Sequence, residues 1–103
     1  MLIDEAKAEA VRIARSILEG KVELVAGCRA VQRPLAVLGL RMDENFTVFV
    51  GVDSEADELP FGDERRHWSP DALRRLGPAF EKFNAHYRPH VEEACRVLIA
   101  RLE

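Results

Sequence analysis

Apolar residues recur at steps of three and four along the first part of the chain, which predicts an amphipathic helix over about residues 2–19. The stripe consists of Ile3, Ala6, Ala10, Ile13, Ala14, Ile17 and Leu18. Asp4 and Glu5 lie near its start, where the positive end of a helix dipole favours carboxylates. Gly20 follows as a C-cap, so the helix is expected to end there.

A second apolar stripe begins at about Val22 and predicts a helix that packs against the first as an antiparallel hairpin, because the link between them is short. Its members are Leu24, Val25, Cys28, Val31 and Leu35. Pro34 is expected to end or kink this helix near Arg33. Residues 35–40 are then expected to be helical again, stopping around Gly39.

Residues 46–52 are ambiguous. Their β-branched and aromatic side chains favour a strand, but the chain offers no second strand to pair with it. A helix would place Phe46, Phe49 and Val50 on one face. Asp43 would then serve as its N-cap. We favour the short helix, and the alternative is a strand that pairs with its own copy in a dimer.

The last third of the chain begins with a predicted loop over residues 59–68. Ser69, Pro70 and Asp71 together mark a helix start, as N-cap, first helical residue and first-turn acid. An apolar series at helical spacing then continues from residue 73 to residue 102. Pro78 and Pro89 are expected to break or kink it, giving a short helix and then a longer kinked pair.

These elements predict an all-α fold, a compact bundle of about five helices in a single helical domain over residues 1–103. With 103 residues and 48% hydrophobic composition, the chain suits one domain of this kind.

The net charge of −3 argues against a nucleic-acid partner, and no apolar run is long enough for a membrane span. The first residues do not resemble a secretory signal, so we expect a cytoplasmic protein. Cys28 and Cys95 lie among apolar residues and are expected to be buried thiols.

Charge is distributed unevenly along the sequence. Residues 43–64, here called the acidic segment, hold eight of the 18 acidic residues and no Lys or Arg. The eight are Asp43, Glu44, Asp53, Glu55, Asp57, Glu58, Asp63 and Glu64. The carboxylates either pair with arginines from the rest of the chain or form an acidic surface that steers a basic partner.

Two further groups suggest chemistry. His86 and His90 are four residues apart and Glu93 follows three later, a spacing that would place a weak candidate metal site on one helix face, although Pro89 disturbs it. Arg65, Arg66 and Trp68 form a basic and aromatic cluster in the predicted loop. Trp and Arg often dominate the energy of protein interfaces, so this cluster is a candidate contact surface, although Trp68 could instead insert into the core.

Short segments spread along most of the chain resemble a set of small uncharacterised bacterial proteins of unknown function. The segments are Glu19-Gly20, Gly27-Cys28-Arg29, residues 49–55, Leu59-Pro60, Gly62, Trp68 and Ala94-Cys95-Arg96. This resemblance implies a bacterial, cytoplasmic domain and transfers no catalytic residue.

The sequence therefore predicts a non-catalytic protein-binding module without a cofactor, acting through an acidic surface on a protein partner that is itself basic. The predicted contact residues are Asp53, Glu55, Asp57, Glu58, Arg65, Arg66 and Trp68. An immunity or antitoxin-like protein is one concrete form of this hypothesis. The alternatives are a metal-binding protein or small metal-dependent enzyme using His86, His90 and Glu93, and a structural homodimer.

Overall fold

The computed structural model describes residues 1–59 and 67–103, and within them it contains helices and no strand. The five helices are α1 (Ile3–Leu18), α2 (Leu24–Val37), α3 (Thr47–Ala56), α4 (Pro70–Arg75) and α5 (Gly77–Leu102). The predicted all-α bundle is confirmed. Residues 60–66 of the predicted loop lie outside the described residues.

The turn between α1 and α2 forms because Gly20 adopts a left-handed conformation, with φ of 71°. The Lys21 N–H donates to the Ser16 carbonyl at 2.9 Å, which closes the end of α1 as predicted. Two residues later the Glu23 carboxylate accepts the first free N–H groups of α2. The short link therefore joins two capped helices.

Pro34 does not end α2, so the prediction that the helix ends near Arg33 is wrong, and the alternative of a kink stays a prediction. The helix continues to Val37, and Gly39, with φ of 70°, follows its end as the sequence predicts. Val31, Pro34 and Leu35 are all fully buried. Their packing compensates for the one backbone hydrogen bond that proline removes.

Residues 47–56 form α3, so the strand alternative is wrong for this segment. Asp43 caps the preceding turn rather than the helix: its Oδ1 accepts the Asn45 N–H at 2.9 Å, and the N-cap of α3 is Phe46. The buried face consists of Phe46, Phe49, Val52 and Ala56. Val50, expected on this face, is only half-buried because the helix turns Val52 inward instead.

The Ser69 hydroxyl caps α4 by accepting the Ala72 N–H at 3.1 Å, and Pro70 occupies its first turn, as predicted. The predicted interruption before Pro78 is present between α4 and α5. The predicted division at Pro89 is absent, because α5 continues through it. Pro89 and Ala85, whose carbonyl loses its N–H partner, are both exposed, so water can satisfy that carbonyl.

The core lies between α1, α2, α3 and the second half of α5. Gly27 allows α1 and α2 to approach closely, since a Cβ at this position would lie 2.5 Å from Cγ1 of Ile17. Asp43, ahead of α3, contacts Arg101 near the end of α5, and Glu55 at the other end of α3 bonds to Tyr87. These two helices are therefore antiparallel. Among the described residues, no helix has the length and apolar character needed to cross a membrane.

Candidate functional site

The acidic segment is divided between carboxylates that pair within the protein and carboxylates that face solvent. Asp53 belongs to the first group. Its Oδ1 accepts Nε–H of Arg29 at 2.8 Å, and its Oδ2 accepts Nε2–H of Gln32 at 2.9 Å. Both donors lie on α2, so Asp53 joins α3 to the neighbouring helix.

Gln32 is the centre of this polar network and is only 9% exposed. Its Oε1 accepts Nε–H of Arg41 at 3.2 Å, and its amide nitrogen also donates to the Cys28 carbonyl at 3.3 Å. A buried amide needs such partners, because leaving one unsatisfied costs about 1–3 kcal/mol. The network therefore fixes the packing of α2, α3 and the turn between them.

The pKa of Asp53 lies below its ordinary value. Partial burial raises the pKa, but the hydrogen bonds from Arg29 and Gln32 and the positive charges of Arg29 and Arg41 together outweigh that effect. Asp53 is thus a charged residue with a structural task. Both of its oxygens accept hydrogen bonds from within the protein, and its role as a partner contact stays a prediction.

The other described acids are paired more weakly or differently. Asp57 lies 3.7 Å from Nη2 of Arg29 and keeps 75% of its side chain exposed. Asp43 pairs with Arg101 at 3.2 Å, and that guanidinium also lies 5.2 Å from the centre of the Phe46 ring. Glu55 and Glu58 are exposed. Internal pairing thus accounts for part of the acidic segment and leaves the end of α3 negative.

The exposed carboxylates are concentrated at the carboxyl end of a helix. Glu55 lies in the last turn of α3, Asp57 is its C-cap, and Glu58 follows. This last turn, described in full, contains no basic residue. The helix dipole is already negative at that end, so the carboxylates reinforce its field where cations would normally stabilise a helix.

A groove lies beside this acidic end, between α3 and the first half of α5. It has a volume of about 430 Å³ and is lined by Glu55, Leu59, Ala79, Lys82, Phe83, His86 and Tyr87. The Tyr87 hydroxyl bonds to Glu55, and this bond raises the pKa of Tyr87. We call this feature, with Asp57 and Glu58 at the adjoining end of α3, the acid-rimmed groove.

The aromatic part of the predicted contact loop is accessible. Trp68 is 44% exposed, so it does not insert into the core. It lies just before Ser69, the N-cap of α4. The other predicted members of that cluster, Arg65 and Arg66, lie outside the described residues, as do Asp63 and Glu64 of the acidic segment.

The candidate metal residues do not form a site. His86 packs edge-on against Tyr87, with ring centres 4.6 Å apart, and the rings of His86 and His90 are 6.2 Å apart. Glu93 is instead 3.4 Å from Nε of Arg96. Among the described residues, no group of three or more His, Cys, Asp or Glu side chains is placed to hold a metal ion.

Cys28 and Cys95 are free thiols, and both are completely buried, as the apolar pattern predicts. Burial raises the pKa of both, that of Cys95 to about 12. Both thiols are therefore protonated at neutral pH. A nucleophilic or metal-ligating role requires the thiolate, so the environment of these cysteines suits packing instead.

The residues that hold this region together were not identified from the sequence. Gln32 had one available signal, because it follows Cys28 by four residues and therefore lies next to an apolar position on the face of α2. Arg29 and Tyr87 had none, since their partners lie on other helices.

Comparisons of this chain with protein-family models, with curated proteins and with solved structures found no significant match.

Proposed function

We propose that this protein is a non-catalytic binding module that captures a basic protein segment at the acid-rimmed groove. The observation that carries the proposal is the concentration of Glu55, Asp57 and Glu58 at the negative end of α3, beside a groove with apolar walls. Carboxylates in this position disfavour the helix end that bears them. A basic ligand would relieve that repulsion on binding.

The groove also supports a preference for ligands with apolar side chains. Leu59, Ala79 and Tyr87 contribute to its walls together with the Glu55 carboxylate, and Asp57 and Glu58 follow Glu55 at the end of α3. Apolar anchors surrounded by a charged rim are the usual composition of a protein interface. The expected ligand is therefore a segment that carries lysine or arginine next to a few apolar residues.

Within this proposal the predicted contact residues take different roles. Glu55, Asp57 and Glu58 supply the field, whereas Asp53 holds α3 on α2. Trp68 is a further accessible anchor. An immunity or antitoxin-like protein that neutralises a basic toxin is one concrete form of such a module.

The test uses an amphipathic peptide of leucine and lysine, titrated into the isotopically labelled protein and followed by amide resonances. We expect resonance shifts centred on residues 53–59 and 79–87, with affinity that falls as salt rises. The double variant D57K/E58K should weaken binding about tenfold or more, because attraction becomes repulsion. A matched peptide of leucine and glutamate should not bind.

The control variant is E19K/E93K, which changes the net charge equally but alters exposed acids at the C-cap of α1 and on α5. It should bind the lysine peptide almost as the unchanged protein does. Equal weakening by both double variants would show that only net charge matters and would refute the proposal. Resonance shifts located elsewhere would refute it as well.

A further inference from the structure

One face of α1 is exposed at Asp4, Ala8 and Arg15, whereas Val11 between them is only 9% exposed. Asp4, Ala8, Val11 and Arg15 follow one another at steps of four, three and four residues, so they lie along one line of the helix. Together with Leu102 near the end of α5 they line a groove of about 580 Å³. This surface is separate from the acid-rimmed groove.

The stripe of four residues on α1 has opposite charges at its two ends and small apolar residues between them. Its ends are Asp4 and Arg15, and its centre is apolar, formed by Ala8 and Val11. If a second α1 lay across it antiparallel, each aspartate would meet the arginine of the other copy. Each Ala8 would lie over the Val11 of the other copy, which is only 9% exposed, so Ala8 supplies most of the apolar contact. A twofold interface requires this kind of self-complementary patch.

We infer that this face of α1 binds the same face of a second copy of the chain, forming an antiparallel twofold dimer. Ala8 is small and exposed, so the two helices can approach closely at the centre. Asp4 pairs with Arg15 of the other copy at both ends of the interface.

The neighbouring charges are compatible with this pairing. Arg12, which would lie near Lys7 of the other copy, is already bonded to Glu9 on its own helix. Arg15 contacts Glu103 of its own chain and keeps about half of its side chain exposed. Its guanidinium has five donors, enough to bond both Glu103 and the incoming Asp4.

The experiment is a charge exchange followed by sedimentation equilibrium. The unchanged protein should dimerise in a concentration-dependent way. The D4R variant alone places arginine against arginine at both ends, and R15E alone places carboxylates together, so each should dimerise at least about tenfold more weakly. An equimolar mixture of the two variants restores opposite charges at both ends, and it should form a heterodimer about as stable as the original dimer.

Mixing the two variants distinguishes a loss of charge pairing from a loss of helix stability as the cause of weaker dimerisation. A substitution that merely weakened α1 would not be rescued by mixing, and circular dichroism of each variant checks that the helices remain intact. Native mass spectrometry, with one variant carrying a mass tag, distinguishes the heterodimer from homodimers. An unchanged protein that stays monomeric at about 1 mM overturns the inference. So does a dimer that both single variants leave intact, or one that mixing does not restore, since another face or another partner would then be responsible.

Discussion

The two halves of α5 have the same helical spacing of apolar residues but different surroundings. The second half, residues 91–102, buries Val91, Ala94, Cys95 and Leu98 against the other helices. In the first half, residues 77–90, all of which are described, no residue is buried, and Phe83 and Tyr87 are only partly covered. Pro89 lies close to the boundary. A helical apolar stripe thus indicates which face turns inward, but not how far along the helix the core extends.

This difference separates stability from recognition along one continuous helix. The second half supplies core packing, where each buried large side chain contributes about 1.5–3 kcal/mol. The first half of α5 and α4 contribute less apolar burial. The first half of α5 also lines the acid-rimmed groove. Elements with little burial open locally at lower free energy than the core does. The predictions that follow compare changes in the core with changes in or near the first half of α5.

The largest expected effect is the loss of a core side chain from the second half. Leu98→Ala should lower the free energy of unfolding by about 2–5 kcal/mol, because Leu98 is completely buried and its removal leaves a cavity. Leu76→Ala, immediately before α5, should cost about 1 kcal/mol or less, because Leu76 is only half-buried. Urea unfolding followed by circular dichroism measures both. Equal costs would mean that the core extends to the start of α5.

Helix caps provide a smaller comparison of the same kind. Glu23→Ala removes the cap of α2, whose first residues Leu24 and Val25 are buried, and should lower global stability by about 1 kcal/mol. Ser69→Ala removes a cap of similar strength from α4, which buries no residue. That change should fray α4 and leave the global unfolding midpoint nearly unchanged. Hydrogen exchange on both variants measures this, and a global loss of protection in the α4 variant would contradict the comparison.

The parts of this fold that sequence reasoning predicts are those with local causes. The end of α1 at Gly20 and the start of α4 at Ser69 depend on residues a few positions apart. A break was one of the two outcomes predicted at Pro34 and Pro89, and it is wrong because helix continuity there depends on burial around the first proline and on water near the second. Tertiary surroundings of this kind leave no local signal.

The candidate site was likewise predicted only as far as local sequence determines it. The excess of carboxylates in residues 43–64 is visible in the sequence, but which of them pair is not. Asp53 bonds to Arg29 and Gln32, which lie more than twenty positions earlier, whereas Glu58, five residues further on, is exposed. Only the packing of α3 on α2 distinguishes these two acids.

The smallest expected effect concerns the contact that joins the first half of α5 to α3. Tyr87 is the only tyrosine, so its ionisation can be followed by ultraviolet absorbance during an alkaline titration. The bond to Glu55 raises its pKa, so the midpoint should lie above the ordinary value of about 10, and Glu55→Ala should return it toward that value. Glu58→Ala should leave it unchanged.

Because the folded pKa of Tyr87 is the higher one, the bond to Glu55 stabilises the fold fully below pH of about 10, and this stabilisation is lost as pH rises through the folded midpoint. Identical midpoints in the unchanged protein and in Glu55→Ala would mean that α3 does not hold Tyr87 in solution. The first half of α5 would then lack this contact with α3, and Tyr87 would not be a fixed wall of the groove.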